Sequence, residues 1–277
     1  GAFGTVYRAV DTRNEAIVAI KLLNHPIDHA DSQRVIIEAR AASMIDHECC
    51  VAVYDLALTS DRRPYIVMQL LDGVPLSQVM GQRLSVAEAL TLISDVLRGL
   101  AAAHAKGIVH RDLKPANIFV ADGRAIIVDF GFAKLISDPK APNLSITGEV
   151  VGTPAYMAPE QIRGGKQVDG RADLYAVGCL LYEMLANRLP FAGNKSALQM
   201  FDAHLEQIAP PVATFRPEIP PHVAKAVERA LAKDPTERFA DADAMRVALT
   251  QPERGSVWLA LGIVLVVGVA VAIMLAL

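Results

Sequence analysis

The chain has 277 residues, 52% of them hydrophobic and 21% charged, with a net charge of −3 and a pI near 6.2. That charge balance leaves no basic footprint for nucleic acid, and the length allows one large or two modest domains with a substantial core. Three cysteines, Cys49, Cys50 and Cys179, offer neither a metal spacing nor an even disulfide set. They read as packing residues in a reducing compartment.

Residue 1 is glycine, inside a glycine-rich pattern, so upstream sequence is expected to be missing. Residues 5–10 and 16–23 are apolar and β-branched and are predicted strands, separated by a polar turn at 11–15. Residues 31–45 carry Val35, Ile36, Ala39 and Ala42 at helical spacing. Residues 65–71 form another apolar strand, closed by Asp72-Gly73. Ser85 and Glu88 make a capping box before Leu90, Ile93, Leu97, Leu100 and Ala101, and Gly107 stands where a helix-ending glycine belongs. Two short strands at 118–120 and 125–128 flank Ala121-Asp122-Gly123-Arg124, a hairpin signal. Residues 139–159 are rich in Pro, Gly, Ser and Thr without periodicity and read as a long functional loop. From about 173 to 249 the pattern is mostly helical, broken at Pro190, Pro210–Pro211 and 217–221. A small strand-rich part precedes a larger helix-rich part: an α+β chain in two lobes.

The last stretch differs from the rest. Residues 257–277 carry no charge. At about 1.5 Å per residue a helix of this length spans roughly 30 Å, the hydrocarbon thickness of a bilayer. It satisfies its own backbone polar groups, as lipid requires. Its length without a polar residue argues against a buried core helix, and its C-terminal position excludes a secretory signal peptide.

Several clusters carry chemistry. Gly1-Ala-Phe-Gly4-Thr-Val6 precedes a strand, and glycines let backbone approach phosphates closely; an ordinary tight turn explains this fragment equally well. Ala19-Ile20-Lys21 puts a lysine inside an apolar strand, where it needs a partner; Glu38 on the next helix is the candidate, snorkelling at a strand edge the alternative. His110-Arg111-Asp112-Leu113-Lys114-Pro115-Ala116-Asn117 is the most specific cluster. Asp112 can accept a hydroxyl proton, Asn117 can supply a metal oxygen, and Lys114 can lie against a transferring phosphate. Asp129-Phe130-Gly131 ends the hairpin's second strand, and a carboxylate there suits Mg²⁺, which takes few carboxylates plus phosphate oxygens. Gly152-Thr153-Pro154-Ala155-Tyr156-Met157-Ala158-Pro159-Glu160 closes the long loop. Asp173-Leu174-Tyr175 and Gly178 follow. Glu160 and Arg238 are candidates for a buried pair.

In this order the glycine loop, A-I-K, helix Glu, H-R-D-L-K-P-x-N, D-F-G and A-P-E resemble the eukaryotic-type protein kinases from residue 1 to about 249. The resemblance implies a bilobal kinase fold, incomplete at its start, with an N-lobe at 1–71 and a C-lobe at 72–250. A linker at 251–256 and the membrane helix would follow. It implies ATP with Mg²⁺ or Mn²⁺. Gly1 and Gly4 would cover the phosphates, and Lys21 would hold the α- and β-phosphates while pairing with Glu38. Val6 and Ala19 would lie above the adenine and Phe119 below it, with Met68 as gatekeeper and the backbone of Gln69 and Leu71 at the adenine edge. Asp112 would act as base, Lys114 would neutralise the γ-phosphate, and Asn117 and Asp129 would hold the metal. Lys114 and Thr153 point to Ser/Thr rather than Tyr acceptors. Thr147, with Ser145 second, is the expected autophosphorylation site, and Arg111 its partner.

A kinase domain followed by one membrane helix resembles the bacterial receptor-type Ser/Thr kinases. That implies a single-pass protein with its kinase domain in the cytoplasm, agreeing with Arg254 just before the helix. Homodimers occur in that family. Two rivals share the fold: a pseudokinase scaffold, opposed by the intact Lys21, Glu38, Asp112, Asn117 and Asp129, and a small-molecule phosphotransferase, opposed by A-P-E and G-T-P-x-Y.

Overall fold

The computed structural model describes residues 4–24, 26, 44–130, 154–164, 168–193 and 196–251. Strand β1 (Gly4–Val10) turns back into β2 (Ile17–Leu23) through a polar loop. The Asp11 carboxylate accepts the Arg13 N–H at 2.9 Å, and the Asp11 N–H donates to the Ala16 carbonyl at 2.8 Å. Strands β3 (Val53–Leu58) and β4 (Pro64–Gln69) complete an antiparallel sheet in the order β1-β2-β4-β3. The sequence reading missed β3. It also ran β4 to Leu71, whereas pairing ends at Gln69 and the next two residues leave the ladder. The helix expected at 31–45 falls mostly outside the described residues; Met44 and Ile45 at its end are not helical.

A second sheet joins β5 (Val74–Pro75), β6 (Ile118–Ala121) and β7 (Arg124–Ile127). The β6–β7 hairpin turns on Asp122 and Gly123, at φ +49° and +75°. Two left-handed residues form the tight turn whose twist matches the strands. The two sheets meet at residues 49–51. The Ile127 N–H donates to the Cys49 carbonyl at 2.8 Å, and the Val51 N–H to the Ile127 carbonyl at 2.9 Å.

After the short α1 (Leu76–Val79), helix α2 (Val86–His104) starts at the expected capping box. Its end is the expected one too. The Ile108 N–H reaches back to Ala103 and the Gly107 N–H to His104, with Gly107 at φ +73°, a closure that needs glycine. Pro154–Tyr156 is one 3-10 turn and Pro159 opens α3 (Pro159–Ile162), so the expected long loop ends earlier than 159. Helix α4 (Arg171–Ala186) is buried on nearly every side and is the centre of the helical lobe. It stops at Asn187 in the left-handed region, before Pro190. Around it lie α5 (Ala197–Glu206), α6 (Pro221–Ala230) and α7 (Ala242–Thr250). The expected break at 217–221 is present, and Pro221 starts α6 after it, at the position where proline loses no hydrogen bond. All three cysteines are buried and free. Among the described residues no helix is long and apolar enough to cross a membrane; residues 257–277 lie outside them.

Candidate active site

Lys21 sits on β2, flanked by β1 and β4, opposite Val6 and Ile66. Its Nζ crosses to the Asp129 carboxylate at 2.6 Å, and both side chains are largely shielded, 13% and 24% exposed. The lysine thus has the partner that its apolar strand demanded. Glu38, the partner expected from sequence, lies outside the described residues. Asp129 itself stands at φ +61°, an uncommon conformation for a non-glycine residue.

The cluster at 110–117 is fixed from beneath. His110 is fully buried. Its Nδ1 accepts the Asp112 N–H at 3.3 Å, so Nε2 carries the proton and donates to the Val128 carbonyl at 3.0 Å. One imidazole therefore ties the loop to the strand leading into Asp129. Asp173, buried inside α4, accepts the backbone N–H groups of His110 and Arg111, each at 2.8 Å, and faces His104 Nε2 at 2.8 Å. Burial alone would raise its pKa. The hydrogen bond and charge of His104, with the donors from the loop, outweigh that and hold it below the ordinary carboxylate range. Arg111 takes φ +64°, and its carbonyl accepts Gln161 Nε2 at 2.8 Å. The sequence reading named Asp173 without giving it this role. The legible signal was a carboxylate among apolar helical residues.

At the loop's tip the Asp112 carboxylate accepts Lys114 Nζ at 2.7 Å and Asn117 Nδ2 at 3.2 Å. Asn117 Nδ2 also donates to the Asp112 carbonyl at 2.8 Å. With its amide nitrogen committed there, Asn117 offers its Oδ1 elsewhere, and Asp129 keeps the oxygen that Lys21 does not hold. Two such oxygens suit Mg²⁺, which takes one or two protein ligands and completes its shell with phosphate and water.

These groups surround one cleft of about 570 Å³. Gly4, Val6, Ala19, Lys21, Met68, Gln69 and Leu71 line its sheet side, and Lys114, Asn117, Phe119 and Asp129 its helical side. Asp112 adjoins it through its bonds to Lys114 and Asn117. Val51, Leu70, Pro75, Ala116 and Val128 complete the wall and were not foreseen. The Gln69 N–H is spent on the Ala52 carbonyl at 2.9 Å. The expected Glu160–Arg238 pair is present and bidentate, 2.7 and 2.8 Å, with Arg238 fully buried. Gly1, Ser145, Thr147 and Thr153 lie outside the described residues.

The arrangement has counterparts in known proteins. The model of the protein kinase domain matches residues 1–249. The chain is 43% identical over 256 residues to the serine/threonine-protein kinase Pkn1 of Myxococcus xanthus, covering 90% of this chain and 36% of Pkn1. It is 37% identical over 250 residues to the serine/threonine-protein kinase PknL of Mycobacterium tuberculosis, covering 88% and 61%. Its fold matches the crystal structure of the M. tuberculosis PknI kinase domain with a TM-score of 0.69 at 26% identity, over 90% of this chain and 91% of that one. The chain thus spans between about a third and three fifths of the length of these two curated relatives. By sequence and by fold, it belongs to the protein kinase domain family.

Proposed function

We propose that residues 1–250 are the catalytic domain of a serine/threonine protein kinase that transfers the γ-phosphoryl group of ATP to protein hydroxyls. One observation carries this reading: three separate stretches of sequence bring Lys21, Lys114 with Asn117, and Asp129 to one cleft, with Asp112 bonded to Lys114 and Asn117 beside it. The names of the relatives support the Ser/Thr acceptor.

Adenine would lie between Val6 and Ala19 on one side and Phe119 on the other, with Met68 and the backbone of Gln69 and Leu71 lining the same cleft. The phosphates would lie toward Gly4 and Lys21. Asp129 and Asn117 would hold Mg²⁺, which when bound would supply neutralising charge to the phosphate oxygens. Asp112 orients the acceptor hydroxyl and takes its proton as the oxygen–phosphorus bond forms and the bond to the β-phosphate oxygen breaks, releasing ADP. Lys114 offsets charge on the transferring group. Little covalent work falls to the protein, so alignment and electrostatics dominate.

The reading extends to regulation and place. Phosphate on Thr147, or on Ser145, would find a charge-assisted partner in the exposed Arg111. The uncharged run 257–277 serves as a membrane span that keeps the domain on the cytoplasmic face, where ATP is. Helix α7 ends at Thr250, so residues 251–256 make a short tether. Membrane fractionation of the chain with and without 257–277 tests the anchor: protein that stays soluble with the run intact rejects it. Mass spectrometry of the active enzyme tests the phosphosites. For the activity itself, γ-labelled ATP and a protein acceptor give serine- or threonine-bound label with the wild type and none with Asp112→Asn. Label that survives that substitution rejects the assignment.

A further inference from the structure

Arg111 stands at φ +64°, uncommon for a residue other than glycine. Such a conformation persists where its surroundings over-determine it. Three hydrogen bonds do so here. The Arg111 N–H donates to Asp173 Oδ1 at 2.8 Å, the Asp112 N–H to His110 Nδ1 at 3.3 Å, and the Arg111 carbonyl accepts Gln161 Nε2 at 2.8 Å. The Arg111 carbonyl and the Asp112 N–H belong to one planar peptide unit, so holding both fixes the plane from which the Asp112 side chain departs. Turning that plane would carry the carboxylate away from Lys114 Nζ and Asn117 Nδ2, its partners at 2.7 and 3.2 Å.

Gln161 comes from a different element, 50 residues along the chain. It is buried, at the third position of α3, and its Oε1 accepts the N–H of the N-cap residue Ala158 at 3.1 Å. That contact is half of a capping box. It also assigns the amide. With oxygen toward the Ala158 N–H, nitrogen faces the Arg111 carbonyl; the flipped amide would set N–H against N–H and oxygen against oxygen. A four-residue helix does not hold itself in place. Arg238 does that for α3, clamping Glu160 beside Gln161 at 2.7 and 2.8 Å. Capping accounts for the oxygen of Gln161 but not for its nitrogen, which is spent on the loop at 110–117.

We propose that Gln161 is a positioning residue for Asp112: its amide holds the peptide between Arg111 and Asp112 in the orientation that sets the carboxylate beside Lys114 and Asn117. The inference rests on the kinase reading, in which Asp112 receives the acceptor proton. It makes the segment entering α3 a support for the base.

The test uses the full chain with ATP and myelin basic protein as acceptor. Gln161→Glu keeps the length and the oxygen toward Ala158 and replaces the donor by an acceptor. Gln161→Met removes both contacts without adding a charge, and decides the matter if the glutamate variant does not fold. Each should lower kcat about tenfold per folded molecule, the worth of one hydrogen bond. The KM values for ATP and for the acceptor should stay within about twofold of wild type. Amide hydrogen exchange at His110, Arg111 and Asp112 should be faster in both variants. A residue that only capped α3 would speed exchange at 158–163 alone and leave kcat unchanged. That result overturns the proposal, as does a fall in kcat with exchange at 110–112 as in the wild type. If the wild type transfers no label, the kinase reading fails, and exchange at 110–112 then decides separately whether Gln161 holds the peptide.

Discussion

The two walls of the cleft are built on different physics. On the sheet side, β1 is exposed along most of its length, with only Gly4 buried. On the helical side the loop at 110–117 stands on α4, in which thirteen of sixteen residues are buried. The sheet contributes one charge, Lys21, held by a carboxylate from across the cleft. The helical lobe buries Asp173, Arg238 and His204 outright and satisfies the two charged groups internally. Fully buried charges that lose a partner are the costliest, and those with some access to water, as at Lys21 and Asp129, cost less. Substitutions on the helical side should therefore cost stability, while those at the cleft's centre should cost activity and leave the fold intact.

The sharpest way to break that contrast is Arg238→Leu. It strips Glu160 of a bidentate partner and the carbonyls of Ala232, Lys233 and Arg171 of their donor. A loss of about 3–5 kcal/mol is expected, roughly 10 °C in melting temperature for a domain of this size, read by denaturant and thermal unfolding. The surface pair of Arg13 with Asp11 is the control, and Arg13→Ala should leave the midpoint in place. Asp112→Asn should lower kcat by about 10²–10⁴-fold with an unchanged melting temperature and unchanged nucleotide binding. Lys21→Met should reduce kcat/KM by about 10²-fold, again without unfolding. If Lys21→Met destabilises the protein as much as Arg238→Leu does, the division between the walls is wrong.

A smaller effect tests the seam between them. A Cβ on Gly99 of α2 would stand 2.9 Å from both the Cys49 carbonyl and the Ile127 side chain. Gly99→Ala should cost about 1–3 kcal/mol through overpacking, measured by equilibrium unfolding. The smallest expected signal is the pH dependence of the helical lobe. His204 has a folded pKa of about 4 against an ordinary 6.5. The unfolded chain takes up this proton first as pH falls, so the contribution is complete above about 6.5 and is lost on descending toward 4. His204→Phe should flatten the stability profile in that window.

Much of the site was legible because kinase chemistry is written in short segments. The loop at 110–117, the strand-ending Asp129 and the apolar-strand lysine each declare themselves locally. So do the capping box at Ser85 and Glu88, Gly107, and the Asp122-Gly123 turn, where conformation depends on residues a few positions apart. What was not legible depends on distance. Strand β3 carries Asp55 at a register shift between Val53 and Asp55, which blurs the alternation on which a strand reading relies. The two-residue β5 has no pattern at all; it exists because β6 is beside it. That Asp173 anchors the loop, and that Lys21 faces Asp129, are facts about residues 62 and 108 positions apart. Arg238 with Glu160 was legible as a pairing of two charges, but its several backbone partners were not.

The account turns on one convergence, and a crystal structure of the protein with Mg²⁺ and a non-hydrolysable ATP analogue tests it most directly. The account predicts adenine between Ala19 and Phe119, phosphate oxygens against Lys21, metal on Asp129 and Asn117, and the terminal phosphate facing Asp112. Nucleotide bound elsewhere, or metal held by other side chains while Asp112 faces solvent alone, would contradict it.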